Sequence, residues 1–483
     1  MEIDRSSKNT DTQLGKTAFK AGVWYTISNI GVKAIAIITT PLFTRLLSTS
    51  DYGISSTFSS WYTLLVVVFS LNLEPSVGRA KLDYPNDLGK YVGSIQTLSG
   101  IFSVALIAVS LLFIKPLSKF MELEYLALAV LGVYLVFSPA VILAQARYRY
   151  EYKYKENILI LLYTTLFTAL LSIALILLLK QDKWIGKIIG TAFPTVLLGA
   201  MFWIACAKRQ ELSFNKEYYR YALAISLPMI VHALSLNLLA QSDRVIITKY
   251  IGTEATGIYT LAYQYAILIQ IIMNAINQAW QPWFHDNLFA GNEQLIKEKV
   301  KPLTILVCFI GLGCVSLAPE AIAILGPVEY RSGVWAVPPV VLGVYCQSLY
   351  SNYLNIELHL KKTQYLSYGT IIAAGVNLGL NILFVPRYGF VAAAYTTLFS
   401  YMLLFGIHYA ITRFVLKVKL YDDWFFLLCF ISISILSAGF MMLYEHFIIR
   451  FLAIFLIGVA FMFYNREILL SFIRNRSNKK THR

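Results

Sequence analysis

Charge is scarce in this sequence. Of its 483 residues 14% are Asp, Glu, Lys or Arg and 58% are hydrophobic, whereas a soluble domain carries about 25% charged residues. A soluble globular protein is excluded. Cysteine is scarce too: Cys206, Cys308, Cys314, Cys346 and Cys429 all lie inside apolar runs, and none forms a Cys-x-x-Cys pair. They read as small apolar fillers, and metal or redox roles are disfavoured. No Gly-x-x-x-x-Gly-Lys-Ser/Thr loop occurs, so no ATP motor is expected in this chain. Connections between apolar runs are short, the longest being about 280–301. No nucleophile–base set and no metal-ligand cluster stands out. Enzyme activity and a cofactor are therefore not expected. The first 19 residues have no short apolar core and no small-residue cleavage site, and read as no signal peptide.

What the chain has instead is apolar runs of about 20 residues, the length that crosses the hydrocarbon core as a helix. Spans are expected at roughly 20–42, 53–74, 88–113, 124–146, 157–179, 184–207, 218–241, 254–279, 302–325, 334–358, 363–385, 389–412, 423–444 and 447–465. Fourteen spans put both termini on one side. That side holds 29 Lys and Arg, the opposite side 11, and Lys33 lies within the first span. By the positive-inside rule both termini are cytoplasmic. The net charge of +15 is then an orientation signal with anionic lipid as its neighbour, and no nucleic-acid partner is expected. The basic aromatic stretch Arg147–Lys155 suits a headgroup surface for the same reason.

One stretch recurs. Ser242-Asp243-Arg244 runs on to Gly252, Gly257, Tyr259 and Ala262-Tyr263, between two apolar runs. A weaker copy, Arg45-Leu46-Leu47 with Asp51-Tyr52-Gly53, lies 199 residues earlier, counted from Arg45 to Arg244. Lys183 to Ala192 likewise resembles Pro386 to Tyr395, with Gly186 and Gly389 203 residues apart. Six crossings return a chain to its starting side, so the halves are parallel repeats about an axis along the membrane normal. The expected division is a tail 1–17, a first lobe 18–207, a second lobe 213–414, accessory helices 421–465 and a basic tail 466–483.

Polar residues inside the spans are the candidate functional groups. Asn29 and Lys33 stand one helical turn apart, and a mid-span lysine carries an insertion cost of at least ~2.5–3.5 kcal/mol, so it should face a cavity or a partner. Tyr263, Gln270, Asn274, Asn277 and Gln281 follow steps of three, four and seven residues and share one face of a continuous helix. They are expected to line a wet cavity. Ser348, Asn352, Asn355 and His359 have matching spacing, and there cavity lining and interhelical bonding stay equally open. Arg45, Asp243 and Arg244 read as a gating or structural set, with Lys249 and Glu254 in reach. Glu320 could pair with Arg331, and Glu74 with a neighbouring base.

The Asp243-Arg244…Gly252…Gly257-x-Tyr259…Ala262-Tyr263 pattern resembles a signature of polysaccharide flippases. Arg45-Leu46-Leu47 with Asp51-Tyr52-Gly53, and Asn381 to Gly389, are similar to two further hallmarks. The family is the Wzx-type oligosaccharide flippases, of the superfamily that includes multidrug MATE exporters. The resemblance covers nearly the whole chain. It implies an all-α, MATE-like bundle of two six-helix lobes with two accessory C-terminal helices, arranged in a V around a central polar cavity. It also implies a substrate, an undecaprenyl-pyrophosphate-linked oligosaccharide flipped by alternating access for capsule, O-antigen or exopolysaccharide, with other polysaccharide-assembly membrane proteins as candidate partners. The alternatives are a cation-coupled multidrug exporter and, further off, a membrane polysaccharide polymerase.

Overall fold

The computed structural model describes residues 31–362 and 364–464 together with Trp24 and Ser28. The tails 1–17 and 466–483, and Asn29, lie outside the described residues. The described residues form helices and their connections, with no strand among them. Twelve helical stretches among them are long and apolar enough to cross a membrane. The last helix is a shorter apolar one, and the first is described only over 31–46.

Two compact units divide the chain at Gly257 and Ile258. In the first, α1 (31–46) leads into α2 (Thr49–Phe69), α3 (Glu74–Asp83), α4 (Leu88–Leu112), α5 (Ile114–Met121), α6 (Tyr125–Tyr150), α7 (Tyr154–Leu178), α8 (Lys183–Lys208) and α9 (Lys216–Tyr250). Helix α10 (Thr253–Ala266) runs across the division. The second unit continues with α11 (Leu268–Phe289), α12 (Glu293–Ser316), α13 (Ala318–Leu325), a 3-10 turn (Val328–Ala336), α14 (Val337–His359), α15 (Gln364–Tyr388), α16 (Phe390–Ala410), α17 (Asp423–Met442) and α18 (Phe447–Tyr464).

The expected duplication is visible in this order. The eight-residue helices α5 and α13 each follow a long helix, and their first residues are 204 positions apart. Gly53 and Gly257 share that offset, and they meet. A Cβ on Gly53 would lie 1.8 Å from the Thr253 carbonyl oxygen, and one on Gly257 would lie 2.1 Å from the Thr49 oxygen. Only glycine allows main chain to approach main chain this closely. Ser50 and Thr253 share a 2.7 Å hydrogen bond beside the contact.

Helix α9 packs within the first unit against α2, α3 and α4. Its contact with α2 is a polar ladder: Asn237 donates to the Thr63 carbonyl at 3.0 Å, Ser60 to the Gln241 side chain at 3.2 Å, and Thr57 and Thr248 bond at 2.6 Å. Such bonds hold helices where lipid tails supply no hydrophobic drive. The α7–α8 contact uses small residues instead, since a Cβ on Gly190 would sit 2.5 Å from the Ser172 Cα. The second span ends at Phe69, earlier than expected, because Leu71 and Asn72 take left-handed conformations and break the helix. Glu74 and Pro75 then open α3, where an acid and a proline both suit a helix N-terminus.

Candidate functional site

In the second unit the two expected polar stripes face each other. Gln270 of α11 donates to Gln347 of α14 at 2.7 Å, and Asn355 donates to Asn277 at 3.3 Å. Between these bonds lies a cleft of about 70 Å³ lined by Asn274, Trp280, Thr304, Ser348, Ser351 and Asn352 together with Gln270, Asn277 and Gln347. That volume accepts several waters. The buried indole N–H of Trp280 has no partner among the described residues, so the cleft keeps a donor in reserve. The stripes thus make amide bonds at two levels with open polar groups between them.

The stripe is shorter than its spacing suggested. The helix breaks at Ile267, between α10 and α11, so Tyr263 is out of register with the rest. Tyr263 is buried and Gln281 half-buried, and neither lines the cleft. Asn355 is buried and acts through Asn277. Gln347 and Ser351 went unnoticed in the sequence, although they stand four residues apart beside the Ser348–Asn352 pair.

The first unit contains a cavity of about 440 Å³ between α1, α2, α6, α7 and α8. Its lining includes Thr39, Ser138, Gln145, Thr164, Thr165, Thr168, Thr191, Thr195 and Lys187. The Lys187 ammonium stands 3.4 Å from the centre of the Phe43 ring. A desolvated cation over an aromatic face gains about 2 kcal/mol or more. Among the described residues no carboxylate lines the cavity. One turn earlier, Lys183 donates to the Leu46 carbonyl at the end of α1. The sequence places Lys187 at the start of a span, where a base reads as an outward flank. Lys33, the expected cation, is exposed on α1.

Asp243 and Arg244 are both buried in the last turns of α9. Arg244 donates to the Ala240 carbonyl at 3.0 Å and to the Gln241 side chain at 3.4 Å. Lys249 belongs to the same helix and stands 5.2 Å over the Phe120 ring, and Glu254 is exposed. Arg45 is exposed at the end of α1 and donates to the Pro41 carbonyl.

Two expectations about charge change. Glu320 pairs with buried Arg450 of α18, not with Arg331. The accessory helices are thus tied to the second unit, and Tyr353 packs its ring 5.5 Å from Tyr421 just ahead of α17. The stretch 147–155 is largely neutralised internally. Arg147 bonds Glu151 and Glu211 at 2.8 Å each, and Lys153 bonds Glu151 at 2.5 Å. Arg149 bonds Glu74 at 2.8 Å, the neighbouring base that Glu74 was expected to find. Burial pushes the Glu151 carboxyl up, and the bonds and charges of Lys153 and Arg147 outweigh it, leaving Glu151 below the ordinary range.

The comparisons with known proteins agree on the class of molecule. A family model described as "Polysaccharide biosynthesis protein" matches residues 18–288. A Haemophilus influenzae protein of the Lsg locus is 22% identical over 276 residues, which is 56% of this chain and 66% of that protein. A membrane protein of the same organism is 20% identical over 280 residues, with the same shares covered. The match thus spans just under two thirds of either relative. Among solved structures, the lipid II flippase MurJ in an inward closed conformation superposes with a TM-score of 0.68 at 15% identity, covering 92% of this chain and all of that one. An inward-facing MATE multidrug transporter gives 0.60 at 13%, covering 86% and 99%. The fold is that of the MOP superfamily, and the chain is a multi-pass membrane protein.

Proposed function

Because the chain belongs to the polysaccharide biosynthesis protein family, we propose that it turns an undecaprenyl-pyrophosphate-linked oligosaccharide repeat unit across the cytoplasmic membrane by alternating access, for assembly of a surface polysaccharide. The observation that carries this reading is the cleft between α11 and α14. Sugar hydroxyls lose their water on entering a bilayer, and amides that both donate and accept can replace it. Gln270, Asn274, Asn277 and Asn352 supply such groups, and the Trp280 N–H awaits an acceptor. At about 70 Å³ the cleft takes hydroxyls at its edge and not a sugar ring, so it serves as one wall of the path. Lys33, with Asn29, is assigned to the phosphate charge. Arg45, Asp243 and Arg244 are assigned to opening and closing. Both termini face the cytoplasm in this reading, and catalysis is not part of it.

A cation-coupled multidrug exporter is the second reading, favoured by two acids buried in the helices. Asp243 is fully buried, and Glu357 bonds His408 at 2.8 Å with both side chains excluded from solvent. One deletion separates the two readings. Loss of the gene should leave lipid-linked repeat units on the cytoplasmic leaflet. Normal polymer export with a new sensitivity to cationic drugs would overturn the flippase.

A further inference from the structure

The first-unit cavity has no part in that reading, and its chemistry is specific. Its cation, Lys187, faces an aromatic ring and no carboxylate among the described residues. Lys183, one turn away on the same helix, adds a second positive charge, and like charges four residues apart oppose each other. An anion in the cavity would balance Lys187, the lysine that lines it. The hydroxyls add a further requirement. Thr164 and Thr165 each donate to the Leu161 carbonyl, and Thr191 donates to the Lys187 carbonyl. Their protons are thus turned into their own helices, and what they offer the cavity is oxygen lone pairs. A ligand that suits this wall carries negative charge at one point and hydroxyl donors around it. At about 440 Å³ the cavity lies in the range of small-molecule sites.

We propose that this cavity binds a hydroxyl-bearing phosphate ester, its phosphate on Lys187 and its hydroxyls on the α7 and α8 threonines. A phosphoglycerol headgroup of a bilayer lipid and a glycosyl phosphate share this chemistry. Binding is read without transport, so the proposal and the flippase reading can fail separately.

The test uses the full chain in nanodiscs of phosphatidylcholine, with thermal unfolding followed by tryptophan fluorescence. Three probes are titrated: sn-glycerol 3-phosphate, glucose 1-phosphate and uncharged glycerol. In a parallel set, phosphatidylglycerol replaces part of the phosphatidylcholine. The unfolding midpoint should rise with a phosphate ester or with phosphatidylglycerol, and not with glycerol. Lys187→Met should weaken the apparent affinity roughly tenfold or more, since a bond from a charged donor is lost, and Lys187→Arg should keep most of it. Thr168→Leu, which fills the cavity and leaves the charge, should also abolish the effect. A response to phosphatidylglycerol alone assigns the site to bilayer lipid. A response to glucose 1-phosphate above glycerol 3-phosphate assigns it to a glycosyl phosphate. Should either variant fail to fold, protection of Lys187 in the unaltered chain from an amine-acylating reagent, read by peptide mass spectrometry, decides. Equal shifts in the unaltered chain and Lys187→Met, or no shift and no protection with any phosphate ester, would overturn the proposal.

Discussion

In the first unit a hydroxyl-lined cavity of about 440 Å³ holds an ammonium, and in the second a cleft of about 70 Å³ is closed by neutral amides. They are built from different helices, for α8 lines the cavity while the cleft lies among α11, α12 and α14. Helices α8 and α16 both begin after a left-handed residue, Asp182 at φ 49° and Gly389 at φ 79°. In the register that pairs Gly186 with Gly389, Lys187 corresponds to half-buried Phe390. A repeat can thus place a charge in one copy where the other has an aromatic ring. Polar cross-links are of both kinds in each unit: ion pairs around Arg147 and the neutral α2–α9 ladder in the first, the α11–α14 amides and the Glu320–Arg450 pair in the second.

The largest test of this comparison concerns the glycines. Gly53→Val places methyl groups on a carbonyl oxygen that its Cβ alone would meet at 1.8 Å, and main chain does not yield as a flexible side chain does. We expect no folded protein to accumulate in the membrane. In the second unit, Gly379 of α15 has nothing within 4 Å of its virtual Cβ, and Gly379→Ala should be neutral or stabilising by up to ~1 kcal/mol. Fluorescence-detected size exclusion of the two variants checks both. A well-folded Gly53→Val would mean that the repeated Gly53 and Gly257 are not fixed by this contact.

Next in size is the ion cluster. Arg147→Met strands Glu211 and leaves Glu151 to Lys153 alone, both acids being largely buried, at a cost of about 3 kcal/mol, the lower end for a broken buried pair. Adding Glu211→Gln should restore much of the loss, as removing a stranded charge does. Thermal midpoints of the single and double variants in detergent decide the point. No recovery would show that packing against Gly89 and Gly93, which Glu211 touches, matters more than charge.

These residues show what the sequence made legible. Long apolar runs, the duplication and the amide stripes follow from composition and period, because hydrophobic length and helical spacing are local properties. The break at Ile267 was not legible, since the run 254–279 contains no proline and stays apolar through it. Partners distant in sequence were not legible either: Glu320 lies 11 residues from Arg331 and 130 from Arg450, and folding chose the latter. Lys187 was hidden for a third reason. A base beside a span boundary has the same one-dimensional signature whether it points to water or into a cavity.

A smaller effect tests the amide cleft. Gln270→Leu removes one interhelical amide bond, worth about 0.6 kcal/mol on average in membrane helices, so stability should change little while export falls. In a cysteine-free background, a cysteine at Asn274 should react with a small hydrophilic thiol reagent, because thiolate forms only where water reaches it. A cysteine at half-buried Ile271 should react more slowly. Equal protection at both positions in an active protein would reduce the cleft to packing.

The smallest effect is in the first half of α12, where Lys301 donates to Asp422 at 3.1 Å. Asp422 also caps α17, accepting from the Phe425 N–H. The hydrogen bond from Lys301 holds the Asp422 carboxyl below its ordinary value, against a smaller opposing push from burial. A carboxyl lowered in the folded state adds stability above its unfolded pKa, near 3.9, and that stability disappears as pH falls through the lower, folded value. Both partners are one-third exposed, so the pair contributes under ~1 kcal/mol and less in high salt. Asp422→Asn should lower the thermal midpoint slightly at pH 7 and become indistinguishable from the unaltered chain below about pH 3, because protonation has by then done what the substitution does. A difference that persists undiminished at that pH would assign the loss to the altered cap and not to the ion pair.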